Sequence, residues 1–216
     1  MRFEAVLFDC DGVLVDSEPI VNRVLRDMLA ERGWQLSEAE CLRLFVGKMV
    51  KDERARIEQE TGRPLTEDWL ALFRERRNAA LAQELQIVAN AQAAVHAVHA
   101  RLDARIACAS GADRHKVELQ LRKVGLHDYF AGRIFSGHEM PRSKPHPDVY
   151  LAAAAALAAE PRRCAVVEDS LTGVAAGVAA GATVFAYVPQ GEAQAFRRAG
   201  AAVVLRDMAD LPAALG

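Results

Sequence analysis

The chain has 216 residues, is 51% hydrophobic and carries a formal net charge of -2. That length suits one well-buried core, or a core with a smaller inserted domain, and the composition argues against global disorder. The balanced charge gives no electrostatic reason to expect nucleic acid or an anionic membrane surface as partner.

The opening "MRFEAVLFDCDG" has too short an apolar stretch, broken by acids, for a signal peptide, and no apolar run is long enough to span a bilayer. A cytoplasmic location is the resulting expectation. Its first strand is "FEAVLF", residues 3 to 8. The next segment, "SEPIVNRVLRDMLAERGW", spaces Ile20, Val21, Val24, Leu25, Met28 and Leu29 as one helical face, with Ser17 as N-cap and Gly33 as stop. "SEAECLRLF" repeats the helical pattern, with Ser37 and Glu40 at capping-box spacing. "TEDWLALFRERRNAALAQEL" predicts a long helix from about Thr66. The next strand-like run starts only at Arg105, so the intervening chain reads as a helical insertion over residues 17 to 85, its connections near Leu14 to Ser17 and Leu85 to Ala89.

From Arg105 onward, strand-like runs and helical patterns alternate: "RIACAS" (105 to 110), "GRIFSG" (132 to 137), "CAVVED" (164 to 169) and "ATVFAY" (182 to 187). This alternation predicts an α/β protein with a parallel sheet covered on both faces. "LAAAAALAAE" reads as a covering helix. Gly173 and Gly177 share one helix face for close packing, and Gly181 ends that helix. Cys10, Cys41, Cys108 and Cys164 form no C-x-x-C pair and read as small buried thiols. His96 and His99 suggest no third metal ligand and read as a solvated helix face. The basic run "RERRN" (74 to 78) reads as a helix surface, the alternative being that some of it, or Lys48 and Lys51 near Gly47, faces an anionic substrate.

Chemistry concentrates where the strands end. An open parallel sheet assembles its site at the carboxyl ends of its strands, and there the chain offers Asp9 and Asp11, then Ser110, Lys144, and finally Glu168 and Asp169. Asp9 and Asp11 would point the same way if the strand continued, and would repel each other. Mg2+ prefers oxygen ligands and is commonly held by one or two carboxylates plus a substrate phosphate, which answers that repulsion. Asp16 and Ser17 read as the start of the inserted helix.

In "FDCDGVLVDSE", "IACAS", "SKPHPDVY" and "VVEDSLTGVAAGVAAGA", taken in order, the chain resembles the haloacid dehalogenase-like hydrolase superfamily, in its helical-cap phosphatase branch and the β-phosphoglucomutase-like group. The resemblance implies a Rossmann-like three-layer parallel-sheet core (residues 1 to 16 and 86 to 216) with an inserted α-helical cap domain (17 to 85). It further implies that Asp9 attacks phosphorus and becomes an aspartyl phosphate, while Asp11 protonates the departing alcohol and then activates water. Asp9, the backbone carbonyl of Asp11 and Asp169 would hold Mg2+, with Glu168 as an outer-shell or auxiliary ligand. Ser110 and backbone N–H groups near Gly111 would grip the phosphoryl oxygens, and Lys144, on a loop stiffened by Pro145 and Pro147, would balance charge.

The expected substrate is a small phosphorylated metabolite, a sugar phosphate or phosphorylated sugar acid, with Lys48 a candidate contact in the cap. Cap closure would shield the site, and the expected assembly is a monomer or weak homo-oligomer. The nearest rival is a phosphosugar mutase, but that activity uses a cap histidine where this chain offers Ile20, Val21 and Asn22. The dehalogenase branch lacks the second aspartate, here Asp11. A non-catalytic phosphate binder is the alternative from outside enzymology.

Overall fold

The structure, a computed structural model, describes residues 3–45 and 48–216; Gly47 lies outside them. In chain order the strands are β1 (Ala5–Phe8), β2 (Val15–Asp16), β3 (Gln86–Ile87), β4 (Ile106–Ser110), β5 (Ile134–Ser136), β6 (Cys164–Glu168), β7 (Thr183–Tyr187) and β8 (Val203–Leu205). The helices are α1 (Glu18–Ala30), α2 (Glu38–Phe45), α3 (Arg54–Thr61), α4 (Glu67–Glu84), α5 (Ala91–Arg101), α6 (Arg114–Lys123), α7 (Asp148–Ala156), α8 (Leu171–Ala179), α9 (Ala193–Arg198) and α10 (Leu211–Ala214).

Six strands form one parallel sheet in the order β5-β4-β1-β6-β7-β8. Every residue of β1 is buried, as expected for a strand covered on both faces. Ala5 and Leu7 face a cluster that includes Val149 and Tyr150 of α7 and Val174 of α8, while Phe8 meets Phe130 edge-on at 5.9 Å between ring centroids. Successive connections run from β1 to β4 on one side and onward to β6 on the other. The ends of β1 and its two neighbours therefore lie at a topological switch point, where such sheets bind ligands.

The Gly173 and Gly177 expectation has a concrete cause. A Cβ on Gly177 would sit 2.8 Å from Val184 Cγ2 and 3.1 Å from Val166 Cγ1, so the bare backbone lets α8 press onto the sheet. Gly181, at φ +83°, follows the end of α8.

The chain divides into two compact units, one running to Asp16 and resuming over Gln86–Gly216, the other Ser17–Leu85. The second is helical and has its own apolar cluster, built from Leu25, Met28 and Leu29 of α1 with Leu65, Trp69 and Phe73. Ser37 and Glu40 form the reciprocal capping box: Ser37 N donates to Glu40 Oε2 at 2.9 Å and Glu40 N to Ser37 Oγ at 3.3 Å. Thr66 caps α4, accepting from Trp69 N at 3.2 Å.

Some local expectations need correction. Ser17 occupies the N-cap position of α1 but in helical geometry, and its side chain makes no capping bond. Gly33, by contrast, does act as the stop of α1: at φ +92° its N–H turns back to Ala30 O and that of Trp34 to Leu29 O, the paired bonds that close a helix on a left-handed glycine. The all-helical reading of the insertion also lacked α3, and the sheet has a sixth strand, β8, beyond those legible as apolar runs. The connections near Leu14 to Ser17 and Leu85 to Ala89 are antiparallel strands, Val15 pairing with Ile87 and Asp16 with Gln86.

Candidate active site

Strand register brings the acidic residues together. Asp9 follows directly on β1, and its backbone N–H donates to Val167 O at 2.9 Å, which sets it beside Glu168 at the end of β6. Lys144 enters between them. Its Nζ lies 2.6 Å from Asp9 Oδ1 and 2.7 Å from Glu168 Oε1, and 4.7 Å from the centroid of the Tyr150 ring.

Glu168 is heavily engaged. Oε1 also accepts from the Tyr150 hydroxyl at 2.8 Å, while Oε2 accepts from Asp169 N at 3.0 Å, Ser170 N at 3.1 Å and Ser170 Oγ at 3.0 Å. Ser170 Oγ in turn accepts from Gly173 N and so caps α8. A Cβ on Gly173 would fall 1.7 Å from Glu168 Oε1. The first glycine of the repeat therefore makes room for a carboxylate, and the second for the sheet.

These contacts divide the protons. Burial pushes Asp9 up to about 7, against the pull of Lys144 and with help from the Glu168 and Asp11 carboxylates. Burial alone would raise Glu168 too, but Lys144, the Ser170 N–H and the Tyr150 hydroxyl outweigh it and hold Glu168 below the usual carboxylate range. Burial would lower Lys144, yet the two carboxylates keep it well above an ordinary lysine. The difference has a simple cause: Glu168 accepts bonds from many donors and Asp9 from Lys144, so ionisation is easiest at Glu168.

Asp11 is held separately. Lys116 Nζ lies 2.7 Å from Oδ1 and 2.8 Å from Oδ2, and Gln120 Nε2 donates to Oδ1 at 2.8 Å. Both partners come from α6 and both are buried. Ser110, at the end of β4, is buried as well, and its Oγ accepts from Ala112 N at 3.1 Å. Gly111 beside it has open space where a Cβ would stand, whereas a Cβ on Gly137 would lie 3.3 Å from Gly111 Cα, so the bare backbone there lets the two loops pack closely. Lys48 belongs to the helical unit, where it is exposed and pairs with Glu53 Oε1 at 3.0 Å. Tyr150, Lys116 and Gln120 are the polar residues of this neighbourhood that sequence reading missed.

One carboxylate oxygen each from Asp9, Glu168 and Asp169 can be chosen within 4.8 Å of one another, a hard-oxygen set suited to a divalent cation. The Asp169 carboxylate packs over Gly12, where a Cβ would lie 1.9 Å from Oδ2. Asp9 tends to hold a proton chiefly because it is buried, with the neighbouring carboxylates adding to this, and a cation there would favour the ionised form instead. The residues fit a metal, with Asp9 and Asp169 better placed to give oxygens than the crowded Glu168.

Elsewhere the chemistry is quiet. His96 and His99 lie edge-on to Tyr129, and His96 Nδ1 is 3.1 Å from its hydroxyl. All four cysteines are buried and free. No helix among the described residues is long and apolar enough to cross a membrane.

A parallel sheet with a carboxylate cluster, a bridging lysine and a second aspartate at its switch point defines a hydrolytic α/β enzyme. The family model for haloacid dehalogenase-like hydrolases matches residues 3–181, and the chain belongs to that family. It is 31% identical over 185 residues to 6-phosphogluconate phosphatase of Escherichia coli (strain K12), covering 85% of this chain and 82% of the relative. It is likewise 31% identical over 180 residues to hexitol phosphatase B of the same strain, covering 82% of this chain and 79% of that one. Among solved structures, a haloacid dehalogenase family hydrolase from Deinococcus radiodurans R1 with bound phosphate and sodium superposes with a TM-score of 0.80 at 39% identity, covering 99% of this chain and 95% of that one.

Proposed function

We propose that the protein is a Mg2+-dependent phosphomonoester hydrolase that forms an aspartyl phosphate on Asp9, its substrate a phosphorylated sugar or sugar acid. The observation that carries this reading is the division of labour between two neighbouring carboxylates. Asp9 is buried and bridged by Lys144 to Glu168, whereas Asp11 is oriented by a different helix. A nucleophile and an acid–base group need such separate environments.

In the first step an Asp9 oxygen forms a bond to phosphorus as the bond from phosphorus to the substrate alcohol breaks, and Asp11 gives its proton to that departing oxygen. In the second, Asp11 takes a proton from water as the water oxygen bonds to phosphorus. The Asp9–phosphorus bond then breaks, and inorganic phosphate leaves. Lys144 balances charge at Asp9 and the phosphoryl group, while Ser110 and the Gly111 N–H fix the phosphoryl oxygens. Asp9, Asp169 and the Asp11 carbonyl would hold Mg2+, which supplies charge neutralisation at the phosphoryl oxygens. Glu168, with its oxygens committed to five donors, anchors Lys144 and would serve at most as an auxiliary ligand.

The substrate class draws support from the named activities of the two Escherichia coli relatives. Where a mutase carries its cap histidine this chain offers Ile20, Val21 and Asn22, none of which can relay a proton as histidine does, and Val21 packs against the apolar cluster of the helical unit; this favours hydrolysis over isomerisation. The test is phosphate release from 6-phosphogluconate, hexitol phosphates, nucleotides and para-nitrophenyl phosphate, with Mg2+ and with a chelator. Asp9→Asn should reduce release at least about a thousandfold with the melting transition intact. Unchanged turnover in that variant would overturn the nucleophile assignment.

A further inference from the structure

We infer that Lys116 and Gln120 are positioning residues for Asp11, fixing the acid–base carboxylate against the loop that grips the phosphoryl group. The inference rests on the hydrolase reading above. Its basis is a clamp that ordinary ion pairing does not require. Lys116 Nζ meets both oxygens of Asp11, and Gln120 Nε2 meets Oδ1, so the carboxylate plane is fixed by two groups from different directions. Gln120 is itself tied at its other end, where Oε1 accepts from Cys10 Sγ at 3.5 Å. An aspartate otherwise has a broad terminal torsion, and three charge-assisted contacts remove that freedom from the ionised form, the one that takes a proton from water in the second step.

The clamp is continuous with the phosphate loop. Lys116 and Gln120 stand four residues apart on one face of α6, and α6 begins just past Ser110 and Gly111. Asp113 caps it by accepting from Lys116 N at 2.9 Å. The intervening loop is pinned by the Ser110 Oγ bond from Ala112 N and by Ser136 Oγ donating to Ala112 O at 2.7 Å. One rigid piece therefore carries both the groups expected to grip phosphate and the groups that orient Asp11. Proton transfer depends on that relative placement, and an error of about 1 Å is enough to cost on the order of a hundredfold.

The ammonium is also costly to keep there without such a role. Lys116 is only 7% exposed and Gln120 fully buried, and burying polar groups is unfavourable unless each is paired. A Met and a Leu at these positions would extend the apolar stripe of Val117 and Leu121.

The experiment compares Lys116→Met, Gln120→Leu, Lys116→Arg, Asp11→Asn and the Lys116→Met/Asp11→Asn double variant, using 6-phosphogluconate and para-nitrophenyl phosphate with Mg2+. Lys116→Met and Gln120→Leu should each lower kcat by roughly 10- to 100-fold with KM within about twofold. Lys116→Arg, which keeps a cationic donor able to meet both Asp11 oxygens, should recover most of the loss. In the Asp11→Asn background, Lys116→Met should cost nothing further, because its effect passes through Asp11.

An equal loss from Lys116→Met with and without Asp11, or a raised KM at constant kcat, would overturn the inference in favour of a structural or substrate-binding lysine. Should Lys116→Met not fold, Gln120→Leu and its double variant with Asp11→Asn carry the same test. Wild-type activity abolished by Asp9→Asn, combined with insensitivity to these changes, defeats the positioning role alone. Absence of Mg2+-dependent release from the wild type defeats both it and the hydrolase reading.

Discussion

Glu168 and Asp9 carry the same functional group in one buried cluster, yet their surroundings give them opposite tendencies. Tyr150 is part of the reason, because its hydroxyl shares Glu168 Oε1 with Lys144 while its ring faces the same ammonium. Removing that hydroxyl leaves Lys144 with less to hold it in place. Tyr150→Phe is therefore expected to lower kcat about tenfold and stability by about 1 kcal/mol, the usual scale for one hydrogen bond, with KM unchanged. Steady-state kinetics beside a denaturant melt would check this, and an unaltered kcat would show that Glu168 holds Lys144 unaided. Asp9, Glu168 and Asp169 were legible in the sequence because strand ends announce themselves as apolar runs breaking into charge, and Lys144 because it stands in the proline-flanked motif of the loop after β5. Tyr150, Lys116 and Gln120 were not, since each sits on a helix where a polar side chain ordinarily faces solvent. The available signal was that 116 and 120 flank the buried stripe of 117 and 121 and so widen it with polar atoms.

Elements were legible in proportion to their length and pattern. Helix α4 and the capping box of α2 have the spacing that physics requires, while β8 is a three-residue edge strand and α3 buries only Ile57. Strands and helices of that size are decided by what they pack against. Helix α8 shows how much one residue position decides. Gly173→Ala would put a methyl group into the Glu168 carboxylate, whereas Gly177→Ala would put one against Val184 and Val166. Both should destabilise by about 1–3 kcal/mol through overpacking. They should part company in turnover: Gly173→Ala is expected to lower kcat at least about tenfold by displacing the anchor of Lys144, and Gly177→Ala to leave the kcat of folded protein near wild type. Equal kcat in the two variants would mean that the first glycine serves packing alone.

For the whole molecule, the cluster links stability to pH and cation. Asp9 has an ordinary pKa of 3.8 and a folded value of about 7, so between these the native state binds more protons than the unfolded chain. Its contribution is present below the lower value and is lost as pH rises through the upper one. Glu168 acts in the opposite sense and lower, its contribution present above its ordinary 4.5 and lost in acid, and that of Lys144 is lost only above its ordinary 10.5. With a chelator present, the melting temperature of wild type relative to Asp9→Asn should fall from pH 5 to pH 8. The rise on adding Mg2+ should be larger at pH 8 than at pH 5. A Mg2+ effect greater at pH 5 would argue against a cation on Asp9.

The pairing of β2 with β3 has a consequence for how such a chain can assemble. Strands β1 and β4 are adjacent in the sheet although the whole helical unit separates them in sequence. Bringing them together through a disordered segment of that length would cost more closure entropy than a short loop does, by about 0.6 kcal/mol for each doubling of length. The ribbon of Val15–Asp16 with Gln86–Ile87 sets the departing and returning backbone side by side, about 5 Å apart as paired strands are. Once those residues pair, β4 is separated from β1 by little more than the short stretches flanking the ribbon and α5. A strand pairing that spans the whole helical unit in sequence then becomes, in polymer terms, a shorter loop, and it is the one that brings Asp9 and Ser110 to the same edge.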